Sequence, residues 1–238
     1  MTTAELPITA TLNIDAPNVG LGHADPEGVA PHGIASPGVA PPGAAYFDAL
    51  FADSDDPWRF KTRWYEERKR ALTLACLPAR RFRSVFEPGC ANGELAAALA
   101  PRCDRLLATD GSHKAVALAA ERLSAWPHAE ARQAWLPQDW PAERFELIVV
   151  SEVAYYLDAA QLDLFLARVK GALDDGGTVL ACHWRHPIDG CTLDGDAVHA
   201  ACEARLRLTR VAGHMEPDFR IDVWRRNGRS VAQEEGLA

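Results

Sequence analysis

Ser84-Val85-Phe86-Glu87-Pro88-Gly89-Cys90-Ala91-Asn92-Gly93-Glu94 passes from an apolar segment into an acid, and then to two glycines, the second opening a helical pattern. Further on, Leu106-Leu107-Ala108-Thr109-Asp110 repeats the theme with a short apolar run that ends in a carboxylate. These are the positions that a doubly wound α/β sheet offers to ligands, at the carboxyl ends of its first two strands. Gly89 lets the backbone turn tightly beside a ligand, and Gly93 lets the following helix come close to it. Asp110 is spaced to accept from two ribose hydroxyls. Cys90 and Gly111 belong to the same two turns and are counted with the ligand-binding residues.

A nicotinamide or flavin fingerprint, G-x-G-x-x-G, would fall on Gly89, Ala91 and Glu94, so two of its three glycines are missing. Glu94 would also set an anion where a pyrophosphate needs a helix N-terminus. An acid two residues before the glycine suits a ligand with a cationic amino acid end, and S-adenosylmethionine is such a ligand. The sequence resembles the class I S-adenosylmethionine-dependent methyltransferases, which carry E/D-x-G-x-G-x-G here; the middle glycine is Ala91 in this chain.

The flanking pattern supports that architecture. Phe145-Glu146-Leu147-Ile148-Val149-Val150-Ser151 is a near-continuous β-branched run, as a strand buried on both faces should be. Further strands are expected at 105–109, 129–135 and 178–184, with helices at 93–100, after the Ser112 cap, and from Ala159 after the Asp158 cap. Asp56-Pro57 reads as a helix start running to about Cys76, with Trp64 and Tyr65 in the core. Asp174-Asp175-Gly176-Gly177 reads as a turn, and residues 206–212 and 219–225 as a closing hairpin. The fold class is α/β: a mostly parallel, doubly wound sheet. The resemblance supplies its seven strands and their order.

Residues 1–45 alternate proline with glycine and carry few large apolar side chains, which predicts a disordered tail. The methyltransferase domain is expected over 46–230, with a flexible C-terminus at 231–238. A net charge of −8 gives no support to nucleic-acid binding. The six cysteines include no C-x-x-C pair, so neither a metal site nor a disulfide framework is expected. No apolar run is long enough to span a bilayer, and a reducing cytoplasm fits best.

Four blocks narrow the class. The stretch from Asp56 to Arg70, Glu87-Pro88-Gly89-Cys90, Ser151-Glu152-Val153-Ala154-Tyr155-Tyr156-Leu157 and Cys182-His183-Trp184-Arg185-His186-Pro187 are similar to the NodS-type methyltransferases. That resemblance covers roughly residues 45–226. It implies N-methylation of a small-molecule acceptor, an amino sugar on an oligosaccharide, with S-adenosylmethionine as cofactor. An O-methyltransferase is the nearest alternative, and a non-catalytic cofactor-binding module is a further one.

Within this frame each block has a role. Trp58 lies on the N-terminal helix as an apolar lid, and Arg63 meets the methionine carboxylate bidentately. Trp135 packs on adenine, although Gln133-Ala134-Trp135 lacks the aspartate common at that place. Ser151 and Glu152 end the fourth strand, where Glu152 holds an amine acceptor or takes its proton. Tyr155 and Tyr156 wall the acceptor, one of them packed inside. His183 ends the fifth strand as a base of near-neutral pKa, with His186 three residues later.

Overall fold

The computed structural model describes residues 42–238, so the tail expected at 1–45 lies outside the described residues up to position 41. Its last residues are already ordered, because helix α1 spans Ala44–Asp53. No helix of the described residues is long and apolar enough to cross a membrane.

Seven strands form one sheet: β1 Val85–Pro88, β2 Leu106–Asp110, β3 Ala129–Gln133, β4 Phe145–Ser151, β5 Leu173–Trp184, β6 Thr209–Met215 and β7 Phe219–Arg225. Their order is β3-β2-β1-β4-β5-β7-β6. Strands β1 to β5 run parallel, while β7 pairs antiparallel with both β5 and β6. Helix α2 Trp64–Ala75 precedes β1, and the crossover helices are α3 Glu94–Leu99, α4 His113–Leu123, α5 Ala159–Ala172 and α6 Gly195–Leu206.

The apolar run in β4 shows why the sheet is covered on both faces. Leu147 and Val149 enter one core with Val85, Leu106 and Leu180, and Ile148 and Val150 enter the other with Phe86, Leu107 and Val179. All four β4 residues are wholly buried, and each fully buried side chain of this size stabilises the fold by about 1.5–3 kcal/mol. Caps set the helix starts as the sequence indicates: Ser112 accepts from the Ala115 amide, and Asp158 forms a reciprocal box with Gln161.

Four local expectations need correction. Asp56 does cap, accepting from the Phe60 and Lys61 amides at 2.8 and 3.0 Å, but it closes a turn. Arg59 then takes a positive φ of 61°, so the helix waits until Trp64. Trp64 is 69% exposed, outside the core, while Tyr65 packs edge-on against Trp184 and Phe219. Residues 174–177 are part of β5, which pairs with Phe145 directly after α5 and takes up a register irregularity before Leu147. Helix α6 runs on to Leu206 and stops where Arg207 adopts a left-handed conformation, which delays β6 to Thr209. At the C-terminus, Val231–Glu234 form a helical turn, α7, whose Glu234 pairs with Arg225 at 2.7 Å.

Candidate active site

The turn after β1 is built from left-handed residues: Gly89 at φ +73°, Ala91 at +48° and Gly93 at +81°. A Cβ at Gly89 would lie 2.7 Å from the Val153 side chain, so glycine is required there by space as well as by conformation. The space beside Gly93 is taken by α4, because a Cβ would meet the Ala119 Cα at 2.9 Å. That glycine therefore admits α4, where the sequence reading has the following helix, α3, come close to a ligand. Ala91, where the family pattern has glycine, carries the left-handed conformation with a side chain.

The two acids meet across this turn. Asp110 Oδ2 accepts from the Ala91 amide and Oδ1 from the Ser112 amide, both at 2.9 Å. Each oxygen keeps a lone pair for a further donor. Glu87 is 2% exposed, and its Oε2 has no hydrogen-bond partner. Burial, and then the Asp110 charge, push the Glu87 carboxyl well above the usual range. Burial also raises Asp110, against the opposing pull of its amide donors. A buried acceptor without a donor is costly, and a cationic or hydrogen-bonding ligand removes that cost. Cys90 is buried and contributes its amide, which donates to the Thr109 carbonyl at 2.9 Å.

Trp135 lies on Gly111. A Cβ there would fall 2.3 Å from the indole, so the ring reaches the backbone only because residue 111 has no side chain. Four residues on from Trp135, the Asp139 carboxylate accepts from the Trp135 amide at 2.9 Å. Gln133 is turned to the Gly111 carbonyl.

Helix α1 completes this side, and sequence reasoning missed it. Its Phe47 stands 6.4 Å from Trp135 and 5.0 Å from Tyr156 between ring centroids. Trp58 stacks on Phe60 and meets Phe51 edge-on, an aromatic cluster in the turn between α1 and α2. That turn is tied to the first ligand loop, where Asn92 donates to Asp56 at 2.9 Å. Arg63 caps α2 with its backbone carbonyl and makes no ion pair among the described residues. Tyr46, Phe47, Leu50 and Phe51 carry the helical spacing that could have revealed α1 in the sequence.

At the carboxyl ends of β4 and β5 the structure separates the acceptor-side candidates. Glu152, in a left-handed conformation at φ 54°, has both carboxylate oxygens engaged, Oε1 by one donor and Oε2 by two. Lys69 Nζ donates to Oε1 at 2.7 Å, while the Tyr155 hydroxyl and the Trp184 amide donate to Oε2. Lys69 also pairs with Glu66 at 3.0 Å. Burial pulls the Lys69 ammonium down, but Glu152 and Glu66 outweigh it and hold it above its ordinary value. Glu152 is thus an anchored carboxylate, with Oε1 keeping a lone pair for a further donor. Tyr155 is the buried tyrosine and Tyr156 the partly open one, set edge-on to Phe47. Ser151 is half-buried beside them at the end of β4.

His183 is wholly buried. Its Nδ1 lies 3.2 Å from His199 Nε2, and His199 Nδ1 lies 2.7 Å from Asp222 Oδ2. Burial, then His199 and Lys69, hold its pKa well below the ordinary imidazole value. The ring stays neutral, so the expectation of a base with near-neutral pKa does not hold. His186 lies on the surface, paired with Asp218 at 2.9 Å. Lys69, His199 and Asp222 were not legible in the sequence, because they meet Glu152 and His183 only through long-range packing.

Comparison with known proteins agrees with this geometry. The profile of the nodulation protein S (NodS) family matches residues 49–208. The nodulation protein S of Bradyrhizobium diazoefficiens is 37% identical over 106 residues, which are 43% of this chain and 50% of that protein. The chain spans about half the length of that relative and of its Rhizobium tropici counterpart. A provisionally assigned methyltransferase from Pseudomonas syringae is 53% identical, with TM-score 0.63 over 69% of this chain and all of the other. The N-methyltransferase NodS of Bradyrhizobium japonicum, solved with S-adenosylhomocysteine, is 26% identical, with TM-score 0.67 over 76% of this chain and 97% of the other. The sheet order, with its antiparallel C-terminal pair, is that of the class I methyltransferases. The profile match over most of the folded chain places this protein in the nodulation protein S family.

Proposed function

We propose that the chain is an S-adenosylmethionine-dependent N-methyltransferase acting on a small amine, with an amino sugar or amino-sugar oligosaccharide as the favoured acceptor class. The observation that carries the reading is the pair of acids. Glu87 presents a buried, unpartnered oxygen suited to the methionine ammonium, and Asp110 presents two oriented oxygens suited to the ribose hydroxyls. The name and bound product of the Bradyrhizobium japonicum structure support the same cofactor and the same reaction class.

The cofactor supplies an electrophilic methyl group when bound. Around it, the backbone from Gly89 to Gly93, with Cys90 and Gly111, leaves room for the amino acid end and the ribose. Trp135, with Phe47 of α1, gives adenine an apolar wall, and Asp139 sets the Trp135 backbone. Arg63 is a cation for the methionine carboxylate, and the Trp58 cluster excludes water above it. Tyr156 and Ser151 border the acceptor, while Lys69, Glu152 and Tyr155 hold the ends of β4 and β5 against α2. Most of the rate comes from aligning a neutral amine with the methyl group. We place the protein in a reducing compartment such as the cytoplasm, in keeping with six unpaired thiols.

Titration calorimetry with S-adenosylhomocysteine and with NAD tests the cofactor assignment: heat is expected for the first and none for the second. Binding of NAD alone would overturn it.

A further inference from the structure

Outside the cofactor turns, the molecule contains a second polar feature buried throughout: the chain Asp222–His199–His183. His183 and His199 are both fully buried, and Asp222 is 2% exposed. With both rings neutral, the chemistry of the three groups sets which atom carries each proton. Arg220 at 2.6 Å and Arg210 at 3.2 Å flank Asp222. Burial raises its carboxyl, but the His199 hydrogen bond and the Arg220 guanidinium outweigh that and hold it below the usual range, so it only accepts. His199 must then donate through Nδ1, and in a neutral ring its Nε2 accepts. His183 must donate to it through Nδ1, which leaves His183 Nε2 as a bare lone pair.

That lone pair has no partner in the protein and no solvent exposure. By the geometry of the imidazole ring it points away from His199. The ring packs 5.4 Å from Tyr155, the buried half of the tyrosine pair beside the acceptor. Space for any other arrangement is small, because α6 begins on top of it: a Cβ at Gly195 would lie 3.0 Å from His183 Cβ. The charged and titratable groups facing His183 are His199 from α6, Lys69 from α2 and Tyr155 after β4, and none donates to Nε2.

We infer that Asp222 and His199 lock His183 in the tautomer with an unprotonated Nε2, and that this nitrogen is the fixed hydrogen-bond acceptor for an N–H of the methyl acceptor. The inference rests on the proposed methyl transfer for the identity of its ligand, though not for the tautomer. His183 is the contact that demands a donor on the substrate, and His199 and Asp222 position it. The ring is enclosed, so the contact requires the partly open Tyr156 side chain, set against Phe47, to move aside for the entering amine. No proton needs to leave the substrate through this chain; its work is orientation, keeping the amine lone pair toward the methyl group.

His199→Phe is the informative variant, because it removes the Nε2 acceptor that holds the His183 Nδ1 proton and so releases the tautomer. Asp222→Asn is less informative, since its amide must turn its oxygen to the Arg220 Nε–H that shares the same site with His199. Long-range nitrogen–proton NMR spectra of the full chain read the tautomer without any turnover. We expect wild-type His183 to carry its proton on Nδ1 alone at neutral pH, and His199→Phe to lose that preference. For the amine acceptor that wild type methylates, kcat/KM should fall about 10- to 100-fold in His199→Phe, with S-adenosylhomocysteine affinity unchanged. Arg220→Gln removes a partner of Asp222 without breaking the chain, and should keep both the wild-type tautomer and most of kcat/KM. If His199→Phe does not fold, His199→Leu replaces it, with the same loss in kcat/KM expected. A wild-type His183 protonated on Nε2, or a kcat/KM unmoved in the variant, overturns the inference. A wild type that binds no S-adenosylhomocysteine and methylates no amine overturns the ligand half together with the proposed function.

Discussion

Glu87→Gln replaces one oxygen by an amide in the least solvated corner of the site, and its effects on the ligand-free and the ligand-bound protein have opposite signs. In the ligand-free protein Glu87 is a buried carboxylate with one oxygen unpartnered and Asp110 as a like-charged neighbour. An unsatisfied buried polar group costs about 1–3 kcal/mol, and more when charged. Glutamine keeps the shape and removes the charge, so the variant should gain about 1–3 kcal/mol. For a domain of this size that is about 2–12 °C in melting temperature. The ligand-bound protein should lose the charge-assisted bond to the methionine ammonium, about 1.5–3 kcal/mol, or about 10- to 150-fold in affinity. The pH dependence has a defined sign. The folded pKa lies above the unfolded value of about 4.3, so the folded state binds the extra proton between the two. Ligand-free wild type therefore gains stability as pH falls through the raised folded value, and the gain is complete below the unfolded one. Glu87→Gln should lack that contribution. Scanning calorimetry at several pH values and titration with S-adenosylhomocysteine measure both halves. A variant less stable than wild type at neutral pH, or one with unchanged affinity, would refute the reasoning.

Further expectations concern neighbouring residues. Asp110→Ala should weaken S-adenosylhomocysteine by about 10- to 150-fold, as for a charged acceptor lost; unchanged titration heats would remove it from the ribose site. Ala91→Gly relieves a left-handed alanine that costs about 1–2 kcal/mol, against about 0.4–1 kcal/mol of added unfolded-state entropy. Denaturant unfolding should show a net gain of about 0.5–1 kcal/mol, and a loss would mean that Ala91 is not strained. Lys69→Met leaves Glu66 and Glu152 buried together, and should destabilise by about 3–5 kcal/mol; a melting temperature within 2 °C of wild type, on the order of the scale above, would deny the network its role. Turnover of an amine should rise with pH to a plateau set by the amine, because His183 is neutral throughout that range. A second, imidazole-like limb near pH 6.5 would contradict its depressed pKa.

What could be read from the chain follows from the range of each interaction. The strands β1, β2, β4 and β7 were legible because their residues face two cores or alternate, and Glu87, Gly89 and Asp110 because a strand end fixes its neighbours within a few residues. Asp56-Pro57 misled because its cap is genuine but Arg59 breaks the backbone three residues later. Gly176-Gly177 misled because glycines serve a strand irregularity as readily as a turn. Glu152 and His183 were located correctly at strand ends, yet their surroundings were not legible. The partners that form them, Lys69, His199 and Asp222, come from α2, α6 and β7. Helix α1 carried its spacing in plain view beside a Pro/Gly-rich segment whose composition argued for disorder.

Incubation of the full chain with S-adenosylmethionine and a panel of amino sugars, simple amines and hydroxylated compounds, read by mass and by released S-adenosylhomocysteine, tests the central claim directly. The predicted result is an amine product one methyl group heavier, with one S-adenosylhomocysteine formed per product and no methylation of hydroxyl-only compounds. Methylation confined to oxygen would contradict the account, as would the absence of any product from a chain that binds the cofactor.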